Sequence, residues 1–248
     1  MTGRALVTGG TRGIGRAIAE RLLSDGWEVV VCGRSEPETP VASANGRSAI
    51  FESADIRSPE VAGELVDRVA ARFGGLDLLV NNAGGSPKAD LADSSPRLIE
   101  RVVALNLLAP LYVARAAHAV MRGQPGGGQV INIASISGQR PSPGTSAYGA
   151  AKAGLLSATG SLAMEWGPLV RVNAIVIGLV EAEGQEEHYG GAEGIAKLTA
   201  TVPMARLARG GDVAGAVAWL ASPDAAYVTG ASIQLHGGGE RPAVSQIT

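Results

Sequence analysis

The sequence predicts a doubly wound α/β fold: a seven-stranded parallel sheet with helices on both faces, in a single domain over residues 1–248. Three observations predict it. Short β-rich runs alternate with longer segments of helical period, the strand-like runs are apolar throughout, and the first of them passes through a glycine-rich turn directly into a helix. A strand apolar on both faces belongs in a sheet covered on both sides, and parallel neighbours need a crossover that carries the chain back over the sheet.

Ala5-Leu6-Val7 is the first strand-like run, and after the turn Ile14, Ile18 and Leu22 recur at i, i+4 and i+8 until Gly26, an amphipathic helix with a glycine stop. Trp27 to Cys32 and Ala49 to Phe51 follow as the second and third strands, and Leu76 to Val80 as the fourth. A helical run from Pro96 to Arg122 leads to the fifth strand, Val130 to Ala134, and another from Ala147 to Trp166 leads to the sixth, Val170 to Ile177. Glu181 to Leu207 breaks the rhythm with Gly184, Gly190, Gly191 and Gly194 beside His188 and Tyr189, and reads as a mobile flap at the carboxyl end of a strand, where open α/β sheets bind ligands. A helix starting near Gly211 and the strand Ser232 to Leu235 complete a Rossmann-like arrangement. The sequence contains no internal repeat, interdomain linker or low-complexity tract.

Composition narrows the functional classes. A net charge of -2 without a basic, aromatic-interleaved run disfavours nucleic acid. The chain enters a strand by Arg4, leaving no room for a secretion signal, and no stretch reaches the 18 or so consecutive apolar residues of a membrane span. The single cysteine, Cys32, has no internal partner and sits in an apolar strand as a packing residue. A cytoplasmic protein is expected. His118, His188 and His236 show no ligand spacing, so no catalytic metal is expected, and Ser135 lacks the G-x-S-x-G elbow of a hydrolase.

Two motifs carry chemistry. Thr8-Gly9-Gly10-Thr11-Arg12-Gly13-Ile14-Gly15 lies between the first strand and first helix. There glycines permit close approach of a pyrophosphate, and the unpaired N–H groups of the helix start supply donors and partial positive charge. The same turn could be only a tight connection, and it lacks the G-K-[ST] ending of an ATP or GTP loop. The second motif is Tyr148-Gly-Ala-Ala-Lys152, whose tyrosine and lysine share one helix face, with Ser135 13 residues before the tyrosine. A phenol with an ordinary pKa of about 10 is a poor base at neutral pH. One cation at about 4 Å through an effective dielectric of about 20 is worth about 4 kcal/mol, enough to bring the phenol toward neutrality. The chain has only three lysines, Lys88, Lys152 and Lys197, so one at this spacing is less easily read as another solvated charge.

These residues resemble the short-chain dehydrogenase/reductase family over essentially the whole chain. Gly9, Thr11, Arg12, Gly13, Ile14 and Gly15 look like its cofactor loop, Asp55-Ile56 like its adenine-contacting pair, and Asn81-Asn82-Ala83-Gly84 like its sheet-supporting element. Asn106, Ser135, Tyr148 and Lys152 match its catalytic set. The resemblance implies that Tyr148 exchanges a proton with a substrate oxygen held by Ser135 while a hydride passes to or from a nicotinamide. Lys152 would bind the nicotinamide ribose, Asn106 would hold a water joining the lysine to solvent, Val180 backbone would contact the carboxamide, and Asn82 would line the ribose side. The family also implies a homotetramer or dimer paired through the alanine-rich helices that hold Ala114, Ala116, Ala117, Ala150, Ala151 and Ala153, although ordinary packing on the sheet explains such alanines equally. Its enoyl-reductase branch separates the tyrosine and lysine more widely than here.

Family members that prefer NAD carry an acid at the end of the second strand, where this chain has Gly33 followed by Arg34. With Arg12, Arg34 could fork onto a 2'-phosphate, which favours NADP(H), with NAD(H) the alternative. Three departures from the family pattern bear on cofactor pose: Ile177-Gly178 for Pro-Gly, Ala182 for a threonine, and His236 for an aspartate before Gly-Gly. The expected function is an NADP(H)-dependent oxidoreductase acting on a ketone or secondary alcohol. Its alternative is a cofactor-sensing protein of the same fold without turnover. Ile195, Leu198, Val202 and Met204 in the flap hint at a moderately apolar small-molecule substrate, such as a keto-acyl, polyketide, steroid or sugar-derived ketone.

Overall fold

The computed structural model describes residues 3–181 and 191–240. Seven strands form one parallel sheet: β1 (Arg4–Thr8), β2 (Glu28–Gly33), β3 (Ile50–Ser53), β4 (Leu78–Asn81), β5 (Gly128–Ser135), β6 (Val170–Ile177) and β7 (Ser232–Leu235). Their order, β3-β2-β1-β4-β5-β6-β7, is that of a doubly wound sheet, so the seven strand-like runs of the sequence are all strands. From β1 the chain builds outward to β3, then returns to β4 on the other side of β1 and builds outward to β7. The crevice at the carboxyl ends of β1 and β4 is therefore the topological switch point, where such sheets bind ligands.

Two apolar layers cover the sheet. Helices α1 (Gly13–Ser24) and α7 (Gly210–Ala221) pack Ile18, Leu22, Val213 and Val217 onto Val7, Val31, Val80 and Ile175 of one face. Helices α2 (Pro59–Phe73) and α4 (Ala109–Met121) pack Leu65, Val69, Val113 and Met121 onto Leu6, Val30, Leu79 and Val130 of the other. Helix α5 (Ser146–Trp166) lies on that second face with Lys152, Leu155, Thr159 and Ala163 in one buried row at helical spacing. Beneath that row, the Asn132 Nδ2 donates to Thr159 Oγ1 at 2.9 Å and its Oδ1 accepts from Asn81 Nδ2 at 2.9 Å, which fixes α5 over β4 and β5.

The predicted helical run Pro96 to Arg122 is two α-helices, α3 (Pro96–Val103) and α4, joined by a π-turn at Ala104–Leu108. Pro110 explains the break: it has no N–H to give the Asn106 carbonyl four residues back, and its ring crowds that carbonyl. The stretch Pro96–Met121 has the length and mean apolarity of a membrane span, but Arg97, Glu100, Arg101 and Arg115 interrupt it, so it holds no consecutive apolar run of that length. It is a core helix here, with Ala109, Val113, Ala117 and Met121 fully covered by the sheet and neighbouring helices. Of the alanines read as a pairing surface, Ala114, Ala117 and Ala151 turn to the core, while Ala150 and Ala153 are exposed.

The glycine-rich stretch at 181–207 also differs from a plain loop. Residues 182–190, with Ala182, Gly184, His188, Tyr189 and Gly190, lie outside the described residues, but Gly191–Thr201 is a helix, α6. Val202 is buried, and Leu207 with it, so the returning chain is packed rather than loose. It rejoins the sheet region by a parallel bridge between Val180 and Ala208.

Candidate active site

The switch point is built from β1, the turn after it and the start of α1. The Gly9 N–H donates to the Cys32 carbonyl at 2.9 Å, seating the turn on β2. A Cβ on Gly15 would lie 2.3 Å from the Gly9 carbonyl oxygen and 2.4 Å from Asn82 Nδ2, so any other residue there would force the turn open. Gly13 has φ +54 with nothing within 4 Å of a built Cβ, and faces open space. Helix α1 has neither a side-chain cap nor an acidic residue in its first turn, whereas Ser58 and Ser95 cap α2 and α3. Its leading N–H groups and positive dipole end are thus left for an anion.

Asn82 braces this turn. Its Nδ2 donates to the Thr8 and Gly9 carbonyls at 3.0 and 3.1 Å, while the N–H groups of Asn82 and Ala83 donate to Thr8 Oγ1 at 3.0 and 3.1 Å. The amide nitrogen of Asn82 is thus engaged by the turn itself. Gly84, two residues on, abuts the catalytic candidates, since a Cβ there would sit 2.7 Å from Asn106 Oδ1 and 3.3 Å from Lys152 Nζ.

The π-turn places Asn106 fully buried at this point. Its Oδ1 accepts from the Gly85 N–H at 2.9 Å, and its Nδ2 donates to the Gly85 and Val102 carbonyls at 2.8 and 2.9 Å. The side chain is committed to holding Gly85, and Pro110, four residues on, has no N–H to give the Asn106 backbone carbonyl.

Ser135 ends β5, and Tyr148 and Lys152 stand on the first two turns of α5. Lys152 Nζ donates to the Ile133 carbonyl at 2.8 Å and lies 5.7 Å from the centroid of the Tyr148 ring. Burial pushes the lysine pKa down to about 8. Burial also raises the Tyr148 pKa, and a hydrogen bond with Ser135 works against that rise. The expectation that Lys152 alone carries the phenol toward neutrality is therefore not met. The ammonium stands over the ring and is tied to Ile133, and removing both groups from water disfavours phenolate and ammonium alike. Among the described residues this is a site with a neutral phenol, suited first to giving up a proton.

Around the adenosine end of the crevice, Arg12 and Arg34 are exposed, and neither guanidinium has a hydrogen-bonding or ionic partner among the described residues. Asp55 is paired with Arg57, whose Nε donates to its Oδ1 at 2.8 Å. That hydrogen bond holds its carboxyl below the usual range, and Arg34 adds to the effect. Arg57 is the residue missed in the sequence; its position two after an acid was the available signal. Ile56, next to it, is 5% exposed and packs its side chain in the core. A Cβ on Gly33 would touch Thr11 Cγ2 at 3.3 Å, so the end of β2 faces the glycine turn as expected.

Val180 keeps its backbone available. Its bridge to Ala208 uses the Glu181 N–H and the Leu179 carbonyl, which directs the N–H and carbonyl of Val180 itself to the opposite side. Gly178 packs against His236, with a built Cβ 2.7 Å from the histidine Cβ, and His236 Nδ1 is buried without a partner among the described residues. A cavity of about 360 Å³ lies beside it, lined by Leu179, Val202, Met204, Leu235 and His236 among others, and none of Asn106, Ser135, Tyr148 or Lys152 borders it. Part of the apolar character of the flap is thus spent away from the candidate centre. Cys32 is buried with its thiol pushed up to about 12, chiefly by burial, which suits packing and not nucleophilic chemistry.

The residues present fit a dinucleotide: an uncapped helix start behind a tight glycine turn, a close-packed Gly84 beside Lys152, and outward backbone at Val180. A family model described as enoyl-(acyl carrier protein) reductase matches residues 9–240. The chain is similar to an uncharacterized oxidoreductase of Mycobacterium tuberculosis (strain CDC 1551 / Oshkosh), 35% identical over 238 residues that cover 94% of this chain and 90% of that protein. It is also similar to the L-rhamnose 1-dehydrogenase (NAD(P)(+)) of Azotobacter vinelandii, 36% identical over 242 residues, with 94% of each chain covered. Among solved structures, the ligand-free aldohexose dehydrogenase of Thermoplasma acidophilum superposes with a TM-score of 0.88 at 26% identity, covering 96% of this chain and 93% of that one.

Proposed function

The chain belongs to the short-chain dehydrogenase/reductase family and is an NAD(P)-dependent oxidoreductase of carbonyl and alcohol substrates, and from that premise we propose that it interconverts a ketone and a secondary alcohol with Tyr148 as the acid and base. The bound nicotinamide supplies or accepts the hydride. In the reducing direction Tyr148 gives its phenolic proton to the substrate oxygen as the carbon takes the hydride, so the oxygen leaves as a hydroxyl. Ser135 donates to that oxygen and fixes its place. Lys152 would return a proton to Tyr148, resupplied from solvent by a water that the Asn106 carbonyl would hold. Lys152 would hold the ribose hydroxyls, the leading N–H groups of α1 the pyrophosphate, and the Val180 backbone the carboxamide.

The observation that carries the reading is the buried Lys152 ammonium over the Tyr148 ring, with Ser135 opposing the burial-driven rise in the pKa of the same phenol. A buried lysine with no acidic partner among the described residues destabilises the fold, and its place over a phenol suits proton transfer beyond the ribose binding that a sensing site would also need. The i, i+4 spacing of this pair favours a carbonyl over the enoyl substrate named in the family model. Arg12 and Arg34, both exposed and without ionic partners among the described residues, support NADP(H) over NAD(H). A panel of aldoses, keto-acyl thioesters, steroid ketones and simple secondary alcohols, followed by NADPH absorbance in both directions, tests the assignment. Turnover of at least one class is expected, with kcat/KM for NADPH at least tenfold above that for NADH. Dinucleotide binding without any turnover supports the sensing alternative instead, and equal or reversed cofactor preference removes the two arginines from their role.

A further inference from the structure

The loop that joins Ser135 to the start of α5 contains a chain of hydroxyls outside the set discussed above. The Ser137 N–H donates to Ser135 Oγ at 3.2 Å. Ser142 Oγ donates to Ser137 Oγ at 3.1 Å and lies 2.6 Å from Thr145 Oγ1. Thr145 is the residue before the first turn of α5, and its carbonyl accepts from the Gly149 N–H at 2.9 Å. Its side chain does not cap that helix, because its hydroxyl is engaged with Ser142. A hydrogen-bonded path therefore runs from Ser135 through Ser137, Ser142 and Thr145 to the helix turn that carries Tyr148.

The backbone is close-packed along the same path. A Cβ on Gly138 would lie 2.8 Å from the Ala153 nitrogen, and one on Gly149 would lie 2.8 Å from the Ser137 carbonyl oxygen. The loop after β5 thus touches α5 at two glycines, at the Lys152–Ala153 peptide in one case and next to Tyr148 in the other. Contact without side chains sets how near the loop can come. It does not fix where the loop stands along the helix, and directional hydrogen bonds do. With one lone pair of Ser135 Oγ taken by the Ser137 N–H, the hydroxyl proton and the other lone pair are left for the substrate oxygen and Tyr148.

We propose that Ser142 is a positioning residue, whose hydroxyl locks the Ser135 loop to the start of α5 and so sets the geometry between Ser135 and the Tyr148 phenol. The inference rests on the roles given to Ser135 and Tyr148 above. Ser142 touches neither reacting atoms nor cofactor, so its removal acts on the chemical step and leaves dinucleotide affinity alone.

Ser142→Ala is expected to lower kcat about tenfold with KM for NADPH unchanged. Because the bond from Ser135 works against the rise in the Tyr148 pKa, loosening it moves the alkaline midpoint of the kcat profile to higher pH. Ser142→Thr, which keeps the hydroxyl, is expected to restore most of the rate and the midpoint. If Ser142→Ala is isolated unfolded, Thr145→Val cuts the same path at its far end and is expected to show the same pattern. A folded Ser142→Ala or Thr145→Val with the wild-type kcat and midpoint overturns the proposal, as does a rate loss that leaves the midpoint in place and is not rescued by threonine. Tyr148→Phe is run alongside. If it turns over like the wild type, the assignment of the phenol fails and takes this inference with it; if it is inactive while Ser142→Ala is unaffected, only this inference falls.

Discussion

Tyr148→Phe is expected to lower kcat by about a thousandfold in both directions while changing the dissociation constant for NADPH by less than about threefold, as kinetics and cofactor fluorescence titration will show. General acid catalysis by a positioned side chain is worth about 10²–10⁴-fold, and phenylalanine removes the one proton the site offers while keeping the ring under Lys152. The ring fills the same half-buried space, so the loss is chemical and not a matter of folding. The raised pKa of Tyr148 adds a sign to the wild-type profile. A phenol that stays protonated past its usual range keeps the reducing direction active well into alkaline pH. The oxidising direction needs the phenolate and is expected to be the slower one at neutral pH. A Tyr148→Phe variant with more than a tenth of the wild-type kcat removes the phenol from the mechanism.

The second large effect lies with Lys152, and its cause is position rather than charge pairing. The buried row Lys152, Leu155, Thr159 and Ala163 puts an ammonium where the helix face calls for an apolar side chain. Its pKa falls from the ordinary 10.5 to about 8 through burial, which corresponds to about 3 kcal/mol. In the folded state the lysine loses its proton near pH 8, and in the unfolded chain above pH 10. Between those values the unfolded chain holds more protons, so stability rises with pH across the window; below pH 8 both states are charged and the burial cost is present in full. Urea unfolding of wild type and Lys152→Met at pH 7 and pH 10.5 isolates this group, since the remaining titrations are shared. The wild type is expected to gain up to about 3 kcal/mol on the variant over that range. A stability difference that is flat with pH contradicts the assignment of a buried, charged lysine. The same variant is expected to lose turnover, so the destabilising residue is retained for the site it serves.

Much of this was legible in the sequence because it depends on local pattern. All seven strands followed from apolar β-rich runs, and the turn around Gly13 and Gly15 followed from its place between a strand and a helix. The pairing of Tyr148 with Lys152 followed from helical spacing. What the sequence hid depends on what surrounds a residue. Desolvation reversed the expected direction of the Tyr148 pKa, and no spacing rule contains desolvation. The side chain of Ile56, beside the partly exposed Asp55, packs into the core, a burial that no motif spacing contains. Helix α6 was masked by glycines that read as loop, and the Ser137, Ser142 and Thr145 hydroxyls meet only when the loop has folded. The π-turn did have a signal, Pro110 inside a helical run four residues after Asn106.

The measurement that bears most directly on proton and hydride exchange at Tyr148 uses NADPH carrying deuterium at both C4 positions and a ketone found active in the panel, with the product analysed by mass spectrometry. One deuterium on the carbinol carbon is predicted, with a rate that falls in D2O because the phenolic proton moves in the same step. Product without the label, or a rate indifferent to D2O when the chemical step limits turnover, contradicts the account.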